Sequence, residues 1–131
     1  MKRHPDLLQL SREHYGALKL ARDARRAAGS GEPGAMAALA QRVVQTFAAE
    51  LDPHFCVEEQ GILVLLAQAG QHELVARTLA DHAELRRLAT ALATPSADTL
   101  LRFADLLGAH VRFEEREVFE AAQTNLDMEP V

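Results

Sequence analysis

The sequence carries the stretch HFCVEEQGIL at residues 54–63 and a similar stretch, HVRFEEREVF, at residues 110–119. A histidine, two adjacent glutamates and the apolar positions coincide between the two stretches. Residues four apart project from the same face of an α-helix, about 6 Å apart along its axis. Each stretch can therefore present an imidazole and a carboxylate to one centre, His54 with Glu58 and His110 with Glu114.

The rest of the chain has the pattern of long helices. Segments that contain glycine or proline at 29–34, 69–71 and 94–97 divide it into four pieces, and these pieces are rich in residues that favour helices. Apolar residues recur every three or four positions within each piece, and no stretch alternates with the period of a strand. The predicted helices cover residues 5–28, 35–67, 71–93 and 97–122.

Short connections make successive helices antiparallel, so the predicted fold class is all-α, an up-down-up-down four-helix bundle. The length of 131 residues predicts a single domain over residues 1–131, with a peripheral tail at 125–131. Pro53 lies inside the second predicted helix, where it removes a hydrogen bond and crowds the preceding turn. Because the apolar stripe continues in phase across this position, we expect the second helix to be kinked near Pro53.

Each predicted helix places one histidine on its apolar stripe. The first and third stripes, for example Leu10, His14, Leu18 and Thr78, His82, each add one imidazole to the two His–Glu pairs. Buried carboxylates are costly unless their charge is compensated, and a cation removes that penalty. The predicted metal ligands are His14, His54, Glu58, His82, His110 and Glu114.

This set of donors favours iron, with manganese or zinc less favoured. If both glutamates bridge two ions, each ion receives two imidazole nitrogens and two carboxylate oxygens. A bridging oxo or hydroxo group suits the remaining positive charge, and an octahedral ion then keeps one position open. A redox-active pair with an open position can bind dioxygen, nitric oxide or peroxide.

Other chemically distinctive residues are expected outside the site. Glu59 and Glu115 lie about 100° round the helix from the inward glutamates, so solvent exposure or helix salt bridges are predicted, with a supporting role behind the ligands as the alternative. Tyr15 is expected to point away from the site, with a hydrogen bond toward it as the alternative, and Cys56 is expected to be a small buried residue. The surface is predicted for His4, His72, Arg22, Arg25 and Arg26.

Composition and charge narrow the classes of function. The chain is 48% hydrophobic and 25% charged, as is usual for a folded soluble protein, and its longest apolar run, 62–67, is far too short to span a membrane. A net charge of −5 with 5% aromatic residues disfavours nucleic-acid binding. The absence of a secretory signal pattern and the single cysteine predict a cytoplasmic protein without a site of several thiolates.

The chain resembles the hemerythrin-like, or HHE cation-binding, domain family. The resemblance covers essentially the whole chain and implies a four-helix bundle around a non-haem di-iron centre, bridged by two carboxylates and an oxygen species. The motifs that carry it are Glu13-His14, His54-x-x-x-Glu58-Glu59, Asp81-His82 and His110-x-x-x-Glu114-Glu115.

The motifs also differ from those of oxygen-carrying hemerythrins, which use a fifth histidine four residues from another on the third helix and an aspartate five residues after the last histidine. Here Thr78 and Arg86 stand four residues either side of His82, and Glu114 lies four residues after His110. The set is closer to that of iron-centre repair proteins and of the iron-sensing domain in a ubiquitin-ligase subunit. The resemblance therefore implies sensing, nitric oxide or peroxide chemistry, or iron handling at least as much as oxygen carriage.

Three functions follow from this set of residues. The leading hypothesis is a di-iron protein that binds or senses a small diatomic or peroxide ligand at an open iron position. The alternatives are a regulatory or interaction module whose metal pair only holds the bundle, and an iron-handling repair or peroxidase-type enzyme. A binding role is preferred to an enzymatic one, and a zinc hydrolase is less favoured because two bridging carboxylates at a histidine-rich pair suit iron better.

Overall fold

The computed structural model describes residues 3–127, and the regular elements in that range are all helices. Two π-helical segments interrupt the α-helices in that range. The helices are α1 (Pro5–Ser30), α2 (Pro33–Thr46), α3 (Asp52–Gln60), α4 (Ile62–Gln68), α5 (His72–Ala91), α6 (Ala97–Phe113) and α7 (Phe119–Asp127), and the π segments are Phe47–Leu51 and Glu114–Val118.

The four predicted helices correspond to α1, to residues 33–68 (the second piece), to α5 and to residues 97–127 (the fourth piece). Helix α1 packs against α2 and α6, and α5 packs against α4 and α6, so the all-α helical bundle is confirmed. The up-down order of the helices stays a prediction. No helix within residues 3–127 is long and apolar enough to cross a membrane.

The second piece is interrupted twice. In the π segment that precedes α3, the N–H of Asp52 donates to the carbonyl of Phe47, five residues back, and Pro53 then falls in the first turn of α3, where its missing N–H is tolerated. The predicted kink near Pro53 stays a prediction. Gly61, with φ −116° and ψ −93°, ends α3 at a break that the sequence analysis did not predict.

The apolar core consists of two clusters. The first contains Phe47, Phe103 and Leu107, and the second contains Leu7, Leu66 and Phe119. Along α1 the second cluster supplies residues up to 10 and the first supplies residues from 17, so position 14 falls at the boundary between them. Each of the other three helical pieces crosses from one cluster to the other in the same way, and this boundary is where the candidate site lies.

One predicted inward residue differs from the structure, whereas the peripheral tail at 125–131 stays a prediction. Leu18 is 37% exposed, whereas Ala17 and Ala21 are buried, because the buried stripe of α1 steps three residues on from His14 instead of four. Small alanine side chains at these positions suit the close packing of α1 on α6. At the other end α7 continues to Asp127 and residue 126 packs on the second cluster, while residues 128–131 lie outside the described part of the chain.

Candidate metal centre

All six predicted ligands are buried and meet between the two apolar clusters. Their nitrogen and oxygen atoms form two groups, and within each group every donor atom lies within 4.8 Å of the others. Both glutamates belong to both groups, whereas each histidine belongs to one. The groups are His14, His54, Glu58 and Glu114, and Glu58, His82, His110 and Glu114.

The carboxylate of Glu114 divides its two oxygens between the groups. Its Oε1 lies 2.9 Å from Nε2 of His14 and 4.0 Å from Nε2 of His54. Its Oε2 lies 3.3 Å from Nε2 of His110 and 3.9 Å from Nε2 of His82. One side chain therefore faces two pairs of histidines, with one oxygen toward each pair.

Glu58 divides its oxygens in the same way. Its Oε2 lies 3.1 Å from Nε2 of His54, and its Oε1 lies 3.1 Å from Nε2 of His82. The histidine rings pair accordingly, since the ring centroids of His14 and His54 are 5.1 Å apart and those of His82 and His110 are 4.9 Å apart. The geometry is that of two neighbouring sites that share two carboxylates.

Four buried atoms of this cluster make no hydrogen bond within residues 3–127: Oε1 of Glu58, Nε2 of His82, Nε2 of His110 and Oε2 of Glu114. All four belong to the second group. Buried polar atoms without a partner are costly, and a cation among them would satisfy all four at once. Because imidazole nitrogen and carboxylate oxygen are ligands of iron, manganese and zinc, the residues present fit a pair of such ions.

The other nitrogen of every imidazole, Nδ1, lies against a carboxylate from a different helical piece. A carboxylate accepts the Nδ1 hydrogen, which leaves the Nε2 lone pair for the centre and fixes the orientation of the ring. The distances are 2.7 Å for Glu13 to His54, 2.7 Å for Glu59 to His82, 3.0 Å for Asp81 to His110 and 2.6 Å for Glu115 to His14.

These four supporting carboxylates form a closed ring around the bundle. Helix α1 supports the second piece, the second piece supports α5, α5 supports the fourth piece, and the fourth piece supports α1. Each carboxylate directly precedes or follows a ligand in the sequence. A step of one residue turns a side chain by about 100°, from the centre toward the neighbouring helix.

The sequence analysis assigned these residues incorrectly or overlooked them. The predicted solvent exposure of Glu59 and Glu115 is wrong, because each is half-buried and hydrogen-bonded to a histidine of another piece. Glu13 and Asp81 received no role of their own. The signal that would have revealed all four is an acidic residue next to each of four inward residues, in the dipeptides at 13–14, 58–59, 81–82 and 114–115.

Comparison with known families agrees with this geometry. The model of the hemerythrin HHE cation-binding domain matches residues 7–122, a range that contains all six clustered side chains and all four supporting carboxylates. The chain belongs to the hemerythrin HHE cation-binding domain family. No curated protein and no solved structure matches it significantly. Family membership and the two buried clusters together indicate that this HHE domain binds a metal cation.

Without a metal, three histidines of the site in this HHE domain hold protons. Burial by itself lowers the pKa of an imidazole, but the surrounding carboxylates outweigh burial. Beside Glu114 and Glu58 the pKa of His54 rises to about 11 and that of His82 to about 8. The pKa of His110 rises to about 9 beside Asp81 and Glu114. These three rings are therefore protonated at neutral pH in the metal-free protein.

The pKa values of the two shared carboxylates are shifted in opposite directions. Burial and the negative charge of Glu114 raise the pKa of Glu58. Burial also opposes ionisation of Glu114, but hydrogen bonds from His110 and His14 outweigh it and hold the pKa of Glu114 well below its ordinary value. The metal-free cluster thus carries positive charge, as protons, in the interior position where cations would sit.

Two phenylalanines stack on imidazole rings of the site and so restrict the orientation of those rings. Phe55 stacks on His82, with 3.9 Å between ring centroids and an interplanar angle of 12°, and its ring also meets His110 edge-on. Phe119 stacks on His14, with 5.2 Å between centroids and an angle of 8°. Both phenylalanines are buried.

Arg86 forms an outer layer behind one supporting carboxylate. It donates to Oδ1 of Asp52 at 2.7 Å and to Oε2 of Glu59 at 2.9 Å. Burial raises the pKa of Glu59, but the hydrogen bonds from Arg86 and His82 outweigh it and lower this pKa overall. The predicted small buried Cys56 is instead half-buried, because its Sγ lies against the guanidinium of Arg86, 3.9 Å from Nη2.

The remaining predicted residues lie outside the centre. Tyr15 is 77% exposed, as predicted, and His72 is exposed, as predicted. His4 is half-buried instead of superficial, because its Nδ1 caps α1 by accepting from the N–H of Asp6. Thr78 is buried four residues before His82, and its hydroxyl donates to a carbonyl of its own helix. The predicted surface positions Arg22, Arg25 and Arg26 are exposed.

Proposed function

We propose that this HHE domain binds two iron ions with an oxo or hydroxo bridge, and that it binds or senses a small ligand at an open iron position. The ligand classes are dioxygen, nitric oxide and peroxide. The observation that carries the proposal is the division of the Glu58 and Glu114 oxygens, one oxygen of each side chain toward each histidine pair. That arrangement suits two cations, because a single cation would leave one oxygen of each glutamate and one histidine pair without a metal.

Each of the six ligands would have a defined role in binding the two ions. His14 and His54 would hold one ion, His82 and His110 the other, and both glutamates would bridge the two ions. With metal bound, each supporting carboxylate would accept the Nδ1 hydrogen, which leaves the Nε2 lone pair aimed at the centre. When bound, an iron pair supplies a redox-active Lewis-acid centre that binds small ligands.

If the centre binds an external ligand, the number of protein donors favours iron over zinc. Each group offers four protein donor atoms, one from each of its residues. Four donors complete the tetrahedral shell that zinc prefers in structural sites, whereas they leave positions open on an octahedral ion. A centre for external ligands therefore suits iron or manganese, and the need for redox chemistry favours iron.

A second candidate is a regulatory or interaction module in which the metal pair only stabilises the bundle. The position of the cluster favours it, since six titratable side chains lie in the interior between two apolar clusters and depend on charge compensation there. Removal of metal would then unfold the protein, and external ligands would not change its spectrum. An iron-handling repair or peroxidase-type enzyme is a further alternative, and a cytoplasmic location stays a prediction.

The test is aerobic loading with iron, followed by metal analysis and optical spectra in the presence of azide and nitric oxide. We expect two irons per chain and a charge-transfer spectrum that changes with these ligands. A colourless protein with less than one iron per chain would refute the proposal. Two irons with a spectrum that no ligand changes, and a large loss of stability on chelation, would support the structural module. Turnover of peroxide with a reductant would support an enzyme.

A further inference from the structure

A cleft of about 590 Å³ reaches the metal centre. It is lined by residues of α1, the second piece and the fourth piece, among them His14, His54, His110 and Glu114. His82 and Glu58 are outside that lining. Both histidines of the pair His14 and His54 line the cleft, whereas of the other pair only His110 does, so the position between His14 and His54 has the fuller contact with the cleft.

The cleft is larger than a diatomic ligand requires. Its volume falls within the range of about 300–1,000 Å³ that is usual for small-molecule sites, whereas a molecule the size of water occupies about 30 Å³. A ligand of several non-hydrogen atoms therefore fits in the cleft while it contacts the centre.

Small residues line the two walls of the cleft and leave the space between them open. Ala49 of the first π segment lines one wall, and Gly16 and Ala17 of α1 line the other. Gly16 lies in the middle of a 26-residue helix, where glycine is less favourable than alanine. A Cβ added there would meet no atom of residues 3–127 within 4 Å, so neither packing nor a close approach requires glycine. What the missing side chain preserves is the open space of the cleft.

The rim of the cleft carries charges of both signs. It carries Arg12, Lys19 and Arg42 against Glu13 and Glu50. The carboxylate of Glu13 already accepts a hydrogen bond from Nδ1 of His54. Arg42 pairs with Asp23 outside the cleft, at 2.9 Å, while Arg12 and Lys19 stand exposed. These two exposed cations of α1 favour the approach of anions to their side of the rim.

We propose that this cleft binds a small oxygen-donor anion, a carboxylate or a phosphate, and brings it to the metal position between His14 and His54. The inference rests on the proposed metal pair and adds a class of ligand larger than a diatomic. Oxygen donors suit iron, and the rim supplies the complementary charge. Gly16 and Ala49 set the size of ligand that the cleft accepts.

The steric test compares Gly16→Trp with Gly29→Trp in the iron-loaded protein. Gly29 lies on the same helix, is exposed, also has open space around it and is outside the cleft. Acetate and phosphate are the probes, and binding is followed by the optical spectrum and by stopped flow. We expect Gly16→Trp to weaken anion binding at least about tenfold and to slow iron removal by a chelator, with Gly29→Trp like the parent. Gly16→Leu repeats the test with a smaller side chain should Gly16→Trp not fold.

The charge test compares the double variant Arg12→Glu, Lys19→Glu with Arg102→Glu. Arg102 is exposed and outside the cleft. We expect the double variant to lower the association rate of both anions about tenfold at low salt, with the difference shrinking at high salt. Nitric oxide is uncharged, so its association rate should not change. Arg102→Glu should bind both anions like the parent.

The outcomes separate this inference from the proposed function. Tighter binding of acetate assigns the cleft to carboxylates, and tighter binding of phosphate assigns it to phosphates. If the parent holds two irons but neither anion binds, or if the Gly16 variants bind both anions as the parent does, the cleft is not the anion site and the iron proposal stands. If the parent holds no iron, metal analysis shows it first and both proposals fail.

Discussion

Nδ1 of His82 donates a hydrogen bond to Oε2 of Glu59 over 2.7 Å, between the second piece and α5. The same oxygen accepts from Nη1 of Arg86 at 2.9 Å. The ring of His82 is thereby fixed on one side by a carboxylate and on its face by Phe55. Its Nε2, which makes no hydrogen bond within the described residues, is left to face Glu58 and Glu114.

Replacing this carboxylate should weaken metal binding without removing a ligand. Glu59→Ala leaves His82 without its Nδ1 partner, so we expect metal affinity to fall about 10- to 100-fold. Glu59→Gln restores a hydrogen-bond acceptor and should recover part of the loss. Affinity is measured by competition with a chelator of known affinity.

Glu84→Ala is the matched control for that comparison, since Glu84 is half-buried on α5, pairs with Arg87 and is not a partner of His82. It should keep the affinity of the parent. Equal affinities for Glu59→Ala and Glu84→Ala would show that the supporting carboxylate does not orient His82.

Removing a shared ligand should cost more metal than removing an unshared one. Glu58→Ala takes one oxygen from each group, so we expect both ions to be lost or held weakly. His14→Ala affects one group only and should retain about one ion per chain. Metal analysis after gel filtration gives the stoichiometry. His72→Ala, at an exposed histidine, should keep two ions, and two ions in Glu58→Ala with an unchanged spectrum would exclude bridging by that residue.

The stability of the metal-free protein should fall as pH rises above neutrality. The pKa values of His82 and His110 are about 8 and 9 in the folded protein, against about 6.5 for an unfolded histidine. Groups whose pKa is raised by folding stabilise the fold fully below pH 6.5, and they lose that contribution as pH rises through the folded pKa. For His82 alone the raised pKa corresponds to about 2 kcal/mol, or about 7 °C in Tm.

Thermal unfolding in excess chelator at pH 6.5, 8 and 9.5 measures this effect. Metal must displace protons from the same imidazoles, so metal binds more tightly and stabilises the protein more as the pH rises. The difference in Tm between loaded and metal-free protein should therefore grow with pH. A metal-free Tm that rises from pH 6.5 to pH 9.5 would contradict the proton-filled cluster.

Glycine substitutions should distinguish the open cleft from a backbone requirement. Gly16→Ala adds a methyl group to a helix interior with open space around it, so we expect stabilisation of about 0.5–1 kcal/mol. Gly31→Ala should destabilise the protein, because Gly31 ends α1 with φ 69°, in the left-handed region. Urea unfolding of the two variants gives the comparison, and a destabilised Gly16→Ala would mean that this glycine serves the fold.

The helical pieces and the inward histidines could be predicted because periodicity reports burial directly. His14, His82 and the two His–Glu pairs all lie on apolar stripes, and each is buried. The π segment at 47–51 and the break at Gly61 could not be predicted in this way. Both depend on how a turn fits its neighbours, and the apolar spacing of three or four continues across each of them.

The supporting carboxylates show a second limit of periodicity. A residue next to an inward ligand lies about 100° off the stripe, which reads as exposed when one helix is considered alone. In the bundle that direction leads to the neighbouring helix, so Glu59 meets His82 and Glu115 meets His14. The prediction that Leu18 points inward was wrong for a related reason. Packing on α6 decides whether the buried stripe of α1 advances by three residues or by four.

Crystallography of the iron-loaded protein, with anomalous diffraction at the iron edge, tests the central claim most directly. The account predicts two iron peaks in the bundle interior, one between His14 and His54 and one between His82 and His110, with Glu58 and Glu114 each contacting both. A single peak, or iron bound outside these six side chains, would contradict it.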